Sequence, residues 1–258
     1  MRRAAIGLTG FVIWATIGSA ASPSFEVASI KVAKSREGVR GGCHGIDSKF
    51  QSGEMAPPPL GRCVITSGRL SHVINIAWGL NNMQLLKSGP DWIARGDDRF
   101  DIEAKAENPE SVTEAELLEM LQNLLIERFH MTFHRETVEN SGFALVVQKK
   151  GLKLKESTAD EPKVSFSGGK PTPNRPVTLK ARRCSMKTLA NLLSQFGSGA
   201  VADQTGLTGE YDFELSWDEA AGPALTSALQ DQLGLRLESR KVPVTYFVVD
   251  AAQKPDAN

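Results

Sequence analysis

Residues 100–137 read FDIEAKAENPESVTEAELLEMLQNLLIERFHMTFHRET, and residues 211–250 read YDFELSWDEAAGPALTSALQDQLGLRLESRKVPVTYFVVD. Each stretch starts with a segment alternating apolar and polar residues, the period of a half-buried strand. Each then runs into a helix marked by leucines at three- and four-residue spacing. Leu121, Leu124, Leu125 and Phe129 match Leu225, Ala228, Leu229 and Leu233, every pair displaced by 104 positions. Phe100-Asp101-Ile102-Glu103 likewise matches Tyr211-Asp212-Phe213-Glu214. Thr113 is an N-cap with Glu116 three residues later, the signature of a capping box, so the first helix is expected over 114–128.

Outward from these stretches the order of elements continues to agree. In the first half, Leu70, Val73, Ile74 and Ala77 predict a helix over 70–79 closed by Gly79. Met83–Leu86 reads as a strand, Gly89-Pro90-Asp91 as a turn, and Met131–Thr137 and Phe143–Gln148 as two strands joined at Asn140-Ser141-Gly142. In the second half, Met186, Leu189, Ala190 and Leu193 predict a helix, and Val201 a short strand. Asp203-Gln204-Thr205-Gly206 follows as a turn. Leu235–Glu238 and Val244–Asp250 then read as strands, the second started by Pro243. The expectation is an α+β fold made by internal duplication, two similar small units, each with two helices on a mostly antiparallel sheet.

The first unit, 22–154, opens with a strand in Phe25–Val32 and a long Gly/Pro-rich loop over 34–62, followed by a short strand at Val64–Thr66. Residues 155–177 hold four prolines, two adjacent glycines and few apolar side chains, and read as a flexible linker to the second unit, 178–258.

The 258 residues carry 30 basic and 30 acidic side chains, with 41% hydrophobic and 23% charged. That is ordinary globular composition and argues against a disordered or polytopic membrane protein. Charge balance gives no reason to expect nucleic acid as a partner. The first segment, MRRAAIGLTGFVIWATIGSAASPSF, has the cationic start, apolar middle and small-residue end of a signal peptide. Its apolar run is shorter than the roughly 20 residues of a spanning helix, so cleavage after Ala21, or alternatively Ala20, is preferred to a retained anchor. Loss of Arg2 and Arg3 leaves 28 basic against 30 acidic side chains. No later run is long and apolar enough to span a bilayer, so the expected location is the periplasm or the medium.

Export permits disulfides. Cys43 and Cys63 bracket the Gly/Pro-rich loop and form the natural pair, a closure contributing about 3 kcal/mol through chain entropy. Cys184 is left over at the start of a helix, read as a partly buried free thiol in preference to a thiolate activated by Arg182, Arg183 and the helix end.

Several segments together resemble a known family. They are FEVASIK, GPDWI with FDIEAKA, MLQNLLIERFHMTFHRET, ALVVQKKGLKLKES, VADQTGLTGEYDFELSW, ALQDQLGLRLE and VVDAAQKPDAN. In this order they resemble the uncharacterised "soil-associated" bacterial family of exported proteins, over about residues 25–258. The resemblance implies export and brings no catalytic residue with it. In some relatives a similar domain is joined to a membrane sensor of the antirepressor-peptidase type, which implies an extracytoplasmic sensing or binding role. Residues 34–62, with their CHG and MAPPP segments, depart from the family pattern.

Candidate chemistry is sparse. His130 and His134 lie four apart, but no Glu follows His130 as in HExxH and a third ligand is lacking, so solvent-facing strand histidines are preferred to a metal site. Asp101, Glu103, Asp212 and Glu214 fall on alternating strands and are read as a solvated face rather than as a glycosidase pair. Asp203 and Thr205 can bond to the tight backbone of DQTGLTG and are candidate ligand contacts, because loops carry function. Trp78, Trp92 and Trp217 are read as core rather than as an aromatic ligand surface. No GxSxG, Walker, CxxC or dinucleotide motif is present, and no cofactor is expected. The functional expectation is a non-enzymatic exported binding or sensing module whose partner is a cell-envelope protein or peptide. The alternative is an exported hydrolase with an unrecognised site.

Overall fold

The computed structural model describes residues 22–49, 56–80, 89–167, 176–196, 199–218 and 224–255. In chain order the strands are β1 (Val27–Val32), β2 (Arg40–His44), β3 (Arg62–Gly68), β4 (Phe100–Lys105), β5 (Thr132–Val147), β6 (Lys155–Glu156), β7 (Lys163–Ser167), β8 (Val177–Ser185), β9 (Ala200–Asp203), β10 (Glu210–Trp217) and β11 (Leu235–Ala251). The helices are α1 (Leu70–Trp78), α2 (Glu114–Arg128), α3 (Met186–Phe196) and α4 (Leu225–Ala228), the last continued by a π-turn over Leu229–Leu233.

Helix α2 begins where the sequence requires it. Thr113 Oγ1 accepts the Glu116 backbone N–H at 3.3 Å, and the Glu116 carboxylate accepts the Thr113 N–H at 2.8 Å. Two of the otherwise orphaned donors of the first turn are thereby satisfied. Leu117, Leu121, Leu124 and Leu125 form its buried stripe. Helix α1 stops at Gly79, whose φ of 59° is the left-handed geometry that glycine adopts without a Cβ penalty.

Three sheets organise the chain into two lobes. The first lobe holds the sheet β1-β4-β3-β2, antiparallel throughout. Ile30, Ile65, Phe100 and Ile102 from that sheet meet Leu70, Val73, Leu121 and Leu125 from α1 and α2 in one core. The second lobe holds the sheet β6-β10-β8-β7, also antiparallel throughout. Leu179, Leu215 and Trp217 there share a core with Leu189, Leu193, Leu229 and Leu233.

The third sheet, β11-β5-β9, joins the lobes. β5 and β11 pair antiparallel along their whole lengths, 16 and 17 residues. Met131 just before β5 and Phe133 at its start, with Phe247 and Val249 at the end of β11, belong to the first core. Phe143, Leu145 and Val147 at the end of β5, with Leu235 and Leu237 at the start of β11, belong to the second. Each long strand therefore begins in one core and ends in the other. The displacement of 104 positions relates these residues too: Phe143 to Phe247, Leu145 to Val249, Met131 to Leu235. Glu139 and Pro243, also 104 apart, face each other directly across the ribbon.

The structure corrects several expectations. Residues 131–148 are not two strands with a turn at 140–142 but one strand. Gly142 is there for a different reason: a Cβ on it would lie 2.4 Å from Ala200 O and 2.7 Å from Val242 Cγ2, so glycine lets β9 and β11 close in. Leu235–Glu238 and Val244–Asp250 are likewise one strand, with Pro243 tolerated because β11 lies at a sheet edge. The loop over 34–62 contains β2, whose Gly-rich sequence RGGCH hid it from a propensity reading. The stretch 155–177 read as linker contains β6 and β7, both paired into the second lobe. The expected strand at Met83–Leu86 and the signal segment 1–21 lie outside the described residues.

Candidate functional site

Both lobes carry the same device just before a helix. β3 loses register with β4 between Ile65 and Gly68, and β8 loses register with β10 between Tyr211 and Phe213. In these bulges Ser67 and Arg183 take φ values of 53° and 49°, costly for residues with a Cβ. A carboxylate holds each one. Asp101 Oδ1 accepts the Ser67 N–H at 2.8 Å, and Asp212 Oδ1 accepts the Arg183 N–H at 2.9 Å. A hydrogen bond from the Ser157 hydroxyl, then that of the Arg183 N–H, holds the Asp212 carboxyl below its ordinary range. The aspartates that alternation placed on a solvated face are therefore backbone clamps.

Around the second clamp the solvent side of the sheet is concave. A groove of about 470 Å³ is lined by Lys163 and Ser165 from β7, Lys180 and Arg182 from β8, and Asp212 and Glu214 from β10. The register places these side chains in two rows. Glu214, Lys180 and Ser165 stand side by side, and Arg182 stands opposite Lys163. Lys180 Nζ lies 3.0 Å from Glu214 Oε2. Beside the groove, Arg183 reaches the Glu210 carboxylate through Nε, which raises its already high basicity.

The residues singled out from the sequence do not converge on this groove or on each other. His130 is not on a strand: it follows α2 with a φ of 45°, the position Gly234 fills after the π-turn with a φ of 72°. His134 lies on β5, and its Nδ1 is 2.9 Å from Asp250 Oδ1 on β11, half-exposed. Asp203 Oδ1 accepts both the Thr205 N–H at 2.9 Å and the Thr205 hydroxyl at 2.7 Å, and Thr205 Oγ1 accepts the Leu207 N–H at 3.2 Å. These are the closed hydrogen bonds of consecutive side-chain turns. Cys184 is buried, and burial first, then the Glu210 charge, pushes its thiol up to about 11. At neutral pH it is protonated and a poor nucleophile. Cys43 and Cys63 are directly opposite on β2 and β3 and are disulfide-bonded. Trp78 packs against Phe133 and Phe247, and Trp92 against Phe100 and Phe129, in the first core. Among the described residues no group of three or more His, Cys, Asp or Glu is placed to hold a metal ion, and no helix is long and apolar enough to cross a membrane.

A family profile described as "Protein of unknown function (DUF3738)" matches residues 71–252, from α1 to the end of β11. The chain belongs to the DUF3738 family. No curated protein and no solved structure matches it. The DUF3738 match takes in the groove, both clamp aspartates and the shared ribbon, and leaves out β1, β2, β3 and the disulfide. Sequence reading of this DUF3738 chain missed the groove because β7 lay inside a stretch read as linker. The one available signal was alternation in KVSFS, Lys163–Ser167, five residues in a Pro/Gly-rich context.

Proposed function

We propose that this protein is an exported binding module built by duplication of one α+β unit. The observation that carries the binding reading is the polar groove across β7, β8 and β10. It gathers charged and hydrogen-bonding side chains in a concave setting, and concavity is what ligand sites share. Its one hydroxyl, Ser165, is flanked in register by Lys180, whose ammonium is engaged by Glu214. A serine nucleophile needs a free base at hydrogen-bond distance, so this arrangement favours holding a ligand over cleaving it.

Duplication draws support from the equal strand orders, the displacement of 104 positions carried from α2 through β11, and the paired clamps Asp101–Ser67 and Asp212–Arg183. Export draws support from the apolar, small-ended segment at 1–21, and the Cys43–Cys63 disulfide suits an oxidising compartment. The partner class proposed is a component of the cell envelope. The test is a pull-down from envelope extract with the chain lacking residues 1–21 as bait. A partner that is lost with the Arg182→Gln variant supports the reading; turnover of a hydrolase substrate panel by the wild type and not by Ser165→Ala overturns it.

A further inference from the structure

The groove contains a pairing that the fold itself does not explain. Lys163 on β7 and Arg182 on β8 are direct cross-strand partners on the same exposed face. Like charges directly opposite each other destabilise a sheet. Among the described residues neither cation makes an ion pair of its own. Of the groove's carboxylates, Glu214 is engaged by Lys180 and Asp212 is bonded to the Arg183 N–H and Ser157, with Arg182 only a minor influence on it.

The first lobe shows that the architecture does not demand this. Counting back from the bulge residues Ser67 and Arg183, Arg182 corresponds to Thr66 and Lys180 to Val64. On the neighbouring strand Arg40 faces Thr66, and Gly42 faces Val64. The acidic positions are the same in both lobes, Asp101 with Glu103 and Asp212 with Glu214, and the aspartates are accounted for by the clamp. What is particular to the second lobe is a pair of facing cations in a concave groove beside Ser165.

We propose that the groove holds an anionic group, a phosphate or a carboxylate, between Lys163 and Arg182. This rests on the binding reading above and names the chemistry of the ligand. The anion removes the repulsion between the two cations, Arg182 offers it a two-pronged donor, and the Ser165 hydroxyl stands within the same groove.

The test uses the whole chain after residue 21 at fixed ionic strength, with inorganic phosphate as one probe and citrate as the other. Saturable binding raises Tm by mass action, and it perturbs the amides of β7, β8 and β10 in a nitrogen-15 spectrum. Arg182→Gln is expected to weaken binding at least tenfold, and Lys241→Gln, on a distant exposed stretch of β11, to leave it unchanged. Lys163→Glu replaces the repulsion with attraction. Without ligand its Tm is expected to rise by about 1–3 °C, while the response to either probe disappears. Saturation by phosphate alone or citrate alone assigns the source of the anion. Shifts that never saturate, spread over the basic surface and persist in Arg182→Gln mean an adventitious ion only and overturn the proposal. If neither probe saturates but an envelope partner is still captured and is lost with Arg182→Gln, the binding reading survives and the anion site alone fails.

Discussion

The Cys184 thiol lies in the second core beside Leu189 and Tyr211, out of reach of solvent. Its raised pKa makes a signed prediction. The folded state holds the proton more tightly than the unfolded chain, so this contribution to stability is complete below the ordinary thiol range. It is lost as pH rises from about 9 towards 11. Denaturation followed against pH is expected to show that loss in the wild type and less of it in Cys184→Ala; a thiol titration at pH 8 should detect Cys184 only after unfolding. His72 works in the opposite sense. Burial, then the nearby charges of Arg69 and Arg99, lowers its pKa. It contributes stability that is present above the ordinary imidazole range and is lost as pH falls below about 6.5. His72→Gln should flatten the stability profile on that acid side, and an unchanged profile contradicts the assignment. Cys184 stood out in the sequence as the unpaired cysteine, but its depth of burial did not, and His72 was not singled out at all. The fate of a side chain depends on what the rest of the chain packs around it, and His72 has no local pattern at all.

At the scale of the element, what was legible was local. The α2 helix shows its leucine spacing, its N-cap and its capping box within one window, and the structure places each where expected. Thr113→Ala is predicted to cost about 1 kcal/mol, read as a shift of the urea midpoint without a change of slope. The long strands were not legible, because the residues that mark turns elsewhere serve other purposes here. Gly142 reads as a turn until β9 is known to approach it, and no window of sequence contains both. Gly142→Ala must push Ala200 or Val242 aside. It is predicted to cost about 1–3 kcal/mol and to expose β9 amides to hydrogen exchange before those of β3 and β4. The same reasoning covers the groove. Its floor is assembled from β7, β8 and β10, and alternation within one strand shows which way a side chain points but not which strand lies next to it.

For the molecule as a whole, the ribbon of β5 and β11 decides how the lobes depend on one another. Leu145 is buried in the second core on a strand that starts in the first. Leu145→Ala is expected to destabilise by about 2–5 kcal/mol. Hydrogen exchange should show β3 and β4 losing protection together with β8 and β10, in one transition. Independent melting of the lobes contradicts that coupling. The polypeptides 22–150 and 151–258, produced together, are expected to assemble one to one, and neither to give a cooperative transition alone. A half that folds as a monomer means that the strands are not shared in the sense described.

The chain enters and leaves through the same lobe. Phe25 and Ala28 pack on the first core, and so does Ala252, after which the Gln253 N–H bonds to Phe129 O and Lys254 pairs with Asp98. The groove lies on the other lobe, across β7, β8 and β10. Affinity handles, fluorophores or surface tethers fused at either terminus would thus crowd one pole of the molecule together. The groove strands carry neither end of the chain, so an immobilised copy keeps Lys163 and Arg182 clear of its point of attachment.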